Sequence, residues 1–304
     1  MSTSTRTLWP NTTWDEYRDL IALPLSILPT TGQVFYVGPG GVDGAGYGSV
    51  SKKPFATVDY AVGKCIANHG DLIVVMEGHN ESITSATSLV IDVAGVKIIG
   101  LGEGSSRPTF DFDNTAGSIE MDAASCLLKN LIFRASVASC AVAVNVDADH
   151  CTIEDCFWTF ESTGDEFILC VDVDTVNYTT IKNCYITTET AAGASTHGIR
   201  LDTADYTRIT DCVVEGTFSA GALVVEGAAC TELLVLNNVF HNTAEPTVII
   251  LAASTGTFHN NVIFGAGGAV ANVFTYGNCQ CGRNWVCDVV ANRGTQLIPD
   301  TSSA

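Results

Sequence analysis

Six acidic residues recur along the chain at steps that are regular without being constant: Asp92, Asp122, Asp147, Asp174, Asp202 and Glu226, separated by 30, 25, 27, 28 and 24 residues. Carboxylates held in such a series suit two kinds of chemistry. One is acid–base work on a glycosidic bond, which needs one protonated and one ionised carboxyl flanking the bond. The other is binding of a hard divalent cation such as calcium, which takes oxygen ligands. Arg200 stands two residues before Asp202, and Asp172 two before Asp174. Arg200 with Asp172, Asp174 and Asp202 is therefore the grouping that joins a basic side chain to the acids, as elimination on an acidic polysaccharide would require. A plainer role competes, because an Asp at a strand end caps the amides of the following turn, as in Asp92-Val93-Ala94-Gly95. Charges stacked about 5 Å apart in water repel by roughly 0.8 kcal/mol per pair before salt screening, which an exposed column tolerates. The expectation is turn capping, with no assigned catalytic residue, cofactor or metal. Calcium on the acid column and a glycan groove at Arg200, Asp172, Asp174 and Asp202 are the alternatives.

The acids are positioned by a repeat. Each closes a short segment of the form apolar, any, apolar, acid, as in Val144-Asn145-Val146-Asp147, Val171-Asp172-Val173-Asp174 and Ile199-Arg200-Leu201-Asp202; Ile249-Ile250-Leu251-Ala252 keeps the pattern without the acid. Four residues after the acid comes an aligned position occupied by Val96, Cys126, Cys151, Tyr178, Tyr206, Cys230 and Gly256. A second segment then ends on Asn or Asp, giving the column Asn130, Asp155, Asn183, Asp211, Asn238 and Asn260. Cys156, Cys184 and Cys212 follow directly, alternating with Leu131 and Val239, so cysteine serves there as a small hydrophobe. Period-two alternation over such short segments requires strands, and a coil of two or three strands buries its inner side chains only by stacking on its neighbours. The fold expected is an all-β, right-handed parallel β-helix of about eight coils. The Asn/Asp column is then a structural ladder whose side chains satisfy turn amides of adjacent coils, and Cys156, Cys184 and Cys212 form a second, apolar one.

Solenoid ends need covering, and the terminal segments depart from the repeat. Val58, Ala61, Val62, Cys65 and Ile66 fall at helical spacing between Pro54 and Gly70, predicting a capping helix over about 54–68. The chain divides into an arm or attachment segment over 1–32, the β-helix with its cap over 33–276, and a C-terminal cap or tail over 277–304. The arm opens on the capping-box pattern Thr13-Trp14-Asp15-Glu16 and either attaches the protein elsewhere or folds back over apolar surface.

Composition narrows the function classes. With 304 residues, 46% of them hydrophobic, the chain has ample material for a continuous core, and its net charge of −19 opposes binding to nucleic acid or anionic membrane. No apolar run reaches the ~18 residues of a membrane span; the longest, residues 21–29, is broken by Pro24 and follows acidic rather than basic residues, so neither a transmembrane segment nor a signal peptide is read. The cysteines at core positions read as reduced, buried thiols, and Cys279, Cys281 and Cys287 supply three thiolates without a nearby histidine, short of a structural zinc set.

The phrases Ile153-Glu154-Asp155-Cys156 and Ile181-Lys182-Asn183-Cys184 resemble the repeat of the pectate-lyase-like superfamily of parallel β-helices. The order Phe35-Tyr36-Val37, glycine-rich loop, Lys53-Pro54-Phe55, helix, Gly70-Asp71-Leu72 is similar to the N-terminal cap of its bacterial and phage members. The resemblance covers roughly residues 33–275. It implies the fold, but this superfamily includes polysaccharide lyases, glycoside hydrolases, epimerases, adhesins and phage tailspikes. Polygalacturonase-like members carry an adjacent Asp-Asp and an Arg-Ile-Lys, both absent here; His197-Gly198-Ile199-Arg200 echoes their pattern in part. The reading that follows is a non-enzymatic structural or adhesive virion component of the tailspike, fibre or capsid-decorating type. It would be assembled in the host cytoplasm as a homo-oligomer, a trimer by resemblance, with other virion proteins and a surface glycan as partners. A polysaccharide lyase or hydrolase is the alternative.

Overall fold

The computed structural model describes residues 32–188, 195–244, 246–266, 273–288 and 293–297. The chain winds as a parallel β-helix with three walls. Sheet I has eight strands and carries the acid column; sheets II and III have ten each, and every neighbouring pair is parallel except Asn284–Asp288 with Arg293–Leu297. One coil reads Phe167–Asp174 in sheet I, Thr180–Lys182 in sheet II and Tyr185–Thr187 in sheet III. The same order repeats with His197–Asp202, Arg208–Thr210 and Val213–Gly216. Side chains alternate, so Val171, Val173, Ile181 and Ile186 point inward with their equivalents from every coil into one buried core. No helix is long and apolar enough to cross a membrane among the described residues.

Short strands stay in register because the corner between sheets II and III demands one backbone shape. Asn130, Asp155, Asn183, Asp211, Asn237 and Asn260 all have φ between 51° and 58°. Left-handed backbone selects Asn and Asp, whose short polar side chains tolerate it. The fifth member is thus Asn237 and not Asn238: Leu236 pairs with Thr210, which places Asn237 opposite Asp211. Asn238 stands one residue on, in the cysteine column. Register also moves three other positions, because the turns between sheets I and II vary in length. Thr179, Thr207 and Leu233, rather than Tyr178, Tyr206 and Cys230, continue the column of Cys126 and Cys151. Val248 pairs with Leu223, so Leu251 and not Ala252 follows Glu226.

The capping helix is shorter than its sequence pattern. It spans Val58–Val62, with Thr57 as N-cap and Val58, Ala61 and Val62 buried in the core. Residues before it are held otherwise: Phe55 bridges Val37 and donates its N–H to the Tyr36 carbonyl at 2.7 Å. Glu81 from the next coil accepts the Val58 N–H at 3.0 Å and faces His79 at 3.0 Å, satisfying a helix-start donor that the sequence alone does not pair. Apart from Gly32, the arm lies outside the described residues, as do residues 289–292 and 298–304 of the tail.

Candidate functional site

The outer surface of sheet I gathers the charged residues. Pairing places Glu120, Asn145, Asp172, Arg200 and Val224 side by side in one outward row. Two residues on, the strand ends bring Asp122, Asp147, Asp174, Asp202 and Glu226 into a second row, with Asp174 directly paired to Asp202. Three of the four candidate residues, Arg200, Asp172 and Asp174, therefore come together. Arg200 donates Nε and a terminal nitrogen to the two oxygens of Asp172, both at 2.6 Å, a two-pronged charge-assisted pair. Glu226 lies 3.5 Å and Asp174 4.0 Å from the same guanidinium. These carboxylates, Asp172 first, hold the guanidinium proton more tightly than usual. Asp202 turns away: it accepts the Ala228 N–H at 2.9 Å and the Thr203 hydroxyl at 3.0 Å, which is turn capping.

His197 completes the cluster, and its place was only half legible. Its Nδ1 faces the Thr196 hydroxyl at 2.8 Å, while Nε2 sits 3.4 Å from Glu226 without a well-formed hydrogen bond. Burial pushes the imidazole below the usual histidine range, and the Glu226 carboxylate offsets part of that. The arrangement can hold a neutral histidine next to a carboxylate, with Arg200 neutralised alongside.

Farther down the wall, Glu120, Asp122 and Asp147 each offer a carboxylate oxygen within 4.8 Å of the others. Asn145 Nδ2 donates to Glu120 at 2.8 Å and to Asp147 at 2.9 Å. Burial, followed by repulsion from Glu120 and Asp122, raises the Asp147 pKa. Three carboxylates form part of an oxygen set for calcium, which takes six to eight ligands. Asp92 is exposed at the foot of the column. Acids outside the column join Asp202 in capping turns between coils: Asp149 accepts the Asn177 N–H at 2.7 Å and Asp205 the Thr231 N–H at 2.6 Å.

Two ladders run along the corner between sheets II and III. In the outer one, Asn183 donates to Asp155, Asn237 to Asp211 at 3.2 Å and Asn260 to Asn237 at 3.3 Å. In the inner one Cys156, Cys184 and Cys212 stack, followed by Asn238, Asn261 and Asn284, all three fully buried. Both residue types donate to the same place, the carbonyl three residues before the column position of the preceding coil. Cys184 reaches Ile153 and Cys212 reaches Ile181, each at 3.7 Å, while sharing the thiol with a nearer carbonyl of its own coil, Lys182 and Thr210 at 3.3 Å; Asn238 reaches Ile209 at 2.8 Å and Asn261 reaches Val235 at 2.9 Å. Burial raises the Cys156 pKa to about 12, so this is an inert thiol.

Two features escaped the sequence reading. His150, Tyr178 and Tyr206 stack as parallel rings 4.6 Å apart on the corner between sheets I and II, all in left-handed backbone. On sheet III the outward row runs Ile132, Phe157, Tyr185, Val213, Val239, Val262 and Trp285. That apolar row has Tyr185 and Trp285 exposed and the residues between them half-buried.

Similarity to known proteins agrees with this architecture. No curated protein matches the sequence. Among solved structures, a pectate lyase, Pel9A, superposes with a TM-score of 0.54 at 12% identity, over 88% of this chain and 79% of its own. A rhamnogalacturonan lyase gives 0.47 at 11% identity over 88% and 90%. The tailspike protein of an E. coli bacteriophage gives 0.35 at 15% identity over 77% and 52%. At these identities the likeness shows the fold alone. The model described as "Right handed beta helix region" matches residues 117–286, more than half of the chain and the stretch that holds the charged cluster and most of both ladders, and the chain belongs to that family.

Proposed function

We propose that this β-helix is a non-enzymatic structural or adhesive element of a virion that works as a homo-oligomer, a trimer being favoured, and turns its acidic wall toward a surface glycan. The observation that carries the assembly is the outward apolar row on sheet III. From Phe157 to Trp285 it crosses six strands, about 24 Å at the spacing of paired strands, on a protein whose net charge of −19 would otherwise keep copies apart. The two-pronged Arg200–Asp172 pair supports the non-enzymatic part, since this guanidinium already has its carboxylate partner. The virion setting rests on the resemblance of the opening segment to phage members. Light scattering of the purified chain tests the assembly. An oligomer at micromolar concentration that Val239→Lys dissociates supports it, and a strict monomer overturns it.

A polysaccharide lyase or glycoside hydrolase is the second reading. His197 favours it: its Nε2 is buried, lacks a hydrogen bond and sits beside Glu226 and Arg200. Unsaturated products or new reducing ends from a glycan panel, lost in Arg200→Ala, would establish that activity in place of the first reading.

A further inference from the structure

The hydrogen bonds around His197 decide which nitrogen of its ring carries the proton. Thr196 spends its hydroxyl hydrogen on the Ile168 carbonyl of the preceding coil, at 2.9 Å, so toward the imidazole it has only lone pairs to offer. The His197 Nδ1, 2.8 Å from that oxygen, is therefore the N–H. A neutral ring protonated at Nδ1 leaves Nε2 as an acceptor, and burial keeps this ring neutral by lowering its pKa. Nε2 then faces the Glu226 carboxylate at 3.4 Å, acceptor against acceptor, on a side chain that is only 10% exposed. An acceptor buried without a donor destabilises the fold, and the described residues supply no donor to this one. Glu226 is loosely held, being 41% exposed and 3.5 Å from Arg200. Arg200 gives its Nε and one terminal nitrogen to Asp172, and Asp174 stands exposed alongside. Three carboxylates against one guanidinium leave the cluster net negative, which repels a uronate, sialate or phosphate group.

We infer that His197 Nε2 and Glu226 together bind two neighbouring hydroxyls of one uncharged sugar ring, the Glu226 side chain turning outward to admit it. This seat rests on the proposed glycan-facing role of the wall, and it selects a glycan that offers hydroxyl donors and no anionic group. Two acceptors 3.4 Å apart suit adjacent hydroxyls of one ring, each with a hydrogen to give. Thr196 is then a positioning residue, because its hydroxyl oxygen holds the imidazole in the tautomer that accepts at Nε2.

Two measurements on the full chain test the seat. With nitrogen-15-labelled histidine, the His197 ring, assigned by its loss in His197→Gln, should show a protonated Nδ1 and a bare Nε2 at about pH 7.5; a protonated Nε2 would overturn the inference. Hexaoses of glucose, mannose and galactose, with hexagalacturonate as the acidic probe, are then titrated into the same sample. At least one neutral hexaose should bind and shift the Nε2 resonance. Its affinity should fall about tenfold or more in Glu226→Gln and in Thr196→Val, which frees the ring to take the other tautomer. Binding of hexagalacturonate alone, or of a neutral hexaose with unchanged affinity in either variant, overturns the acceptor seat and leaves the glycan-facing wall standing. Binding of none of the four sugars overturns both.

Discussion

Replacing Asn261 by Leu keeps the volume of the inner ladder while deleting its carboxamide. In the native chain the Asn261 Oδ1 accepts the Asn238 N–H at 2.9 Å, and its Nδ2 donates to the Val235 carbonyl at 2.9 Å. Both backbone groups belong to the neighbouring coil, and Asn238 and Asn261 are fully buried, so no water replaces the lost partner. Each orphaned buried group costs about 1–3 kcal/mol, which puts Asn261→Leu about 2–6 kcal/mol below wild type. Asn261→Cys should lose only part of that, because the Cys212 thiol in the same column lies 3.7 Å from the equivalent carbonyl and is shared with the Thr210 carbonyl at 3.3 Å. Equilibrium denaturation of the three proteins, with amide exchange at Asn238 as the local probe, gives the comparison. A Leu variant within about 0.5 kcal/mol of wild type, or a Cys variant as damaged as the Leu variant, would refute the claim that donation between coils selects the residues of this column.

The remaining expectations concern charge and backbone. His197 has a lowered pKa, so as pH falls through about 6.5 the unfolded chain takes up a proton that the folded chain still refuses; stability should fall between pH 7.5 and 5.5, less steeply in His197→Gln by denaturant titration. Asp147 has a raised pKa, so its charge destabilises the fold above that pKa. Asp147→Asn should therefore melt higher than wild type at pH 7, with the difference vanishing below pH about 3.8, and added calcium should reverse the order if the Glu120, Asp122 and Asp147 group takes the ion. In Arg200→Ala the Asp172 carboxylate is left almost buried without its partner, so the melting temperature should fall. Asn183→Ala at a left-handed corner should cost about 1–2 kcal/mol, and Asn183→Gly clearly less.

The spacing of apolar pairs along the sequence determined that the chain coils and which side chains face inward, because strand alternation and stacking are local properties repeated seven times. It also brought Arg200, Asp172 and Asp174 to one wall, since residues at the same place in successive coils must be neighbours. What it left open was set by turns. A loop one residue longer or shorter leaves the apolar pattern intact while moving the corner residue, which is why Asn237 rather than Asn238 takes the left-handed position and Tyr178 and Tyr206 stack outside instead of lining the core. The helix begins only at Val58 because Phe55 is already engaged by the first strand, a contact between segments that no window of sequence contains. The pairing of His197 with Glu226, 29 residues away, and the apolar row on sheet III likewise exist only once the coils are laid on one another, since each is a relation between walls and turns and not within them.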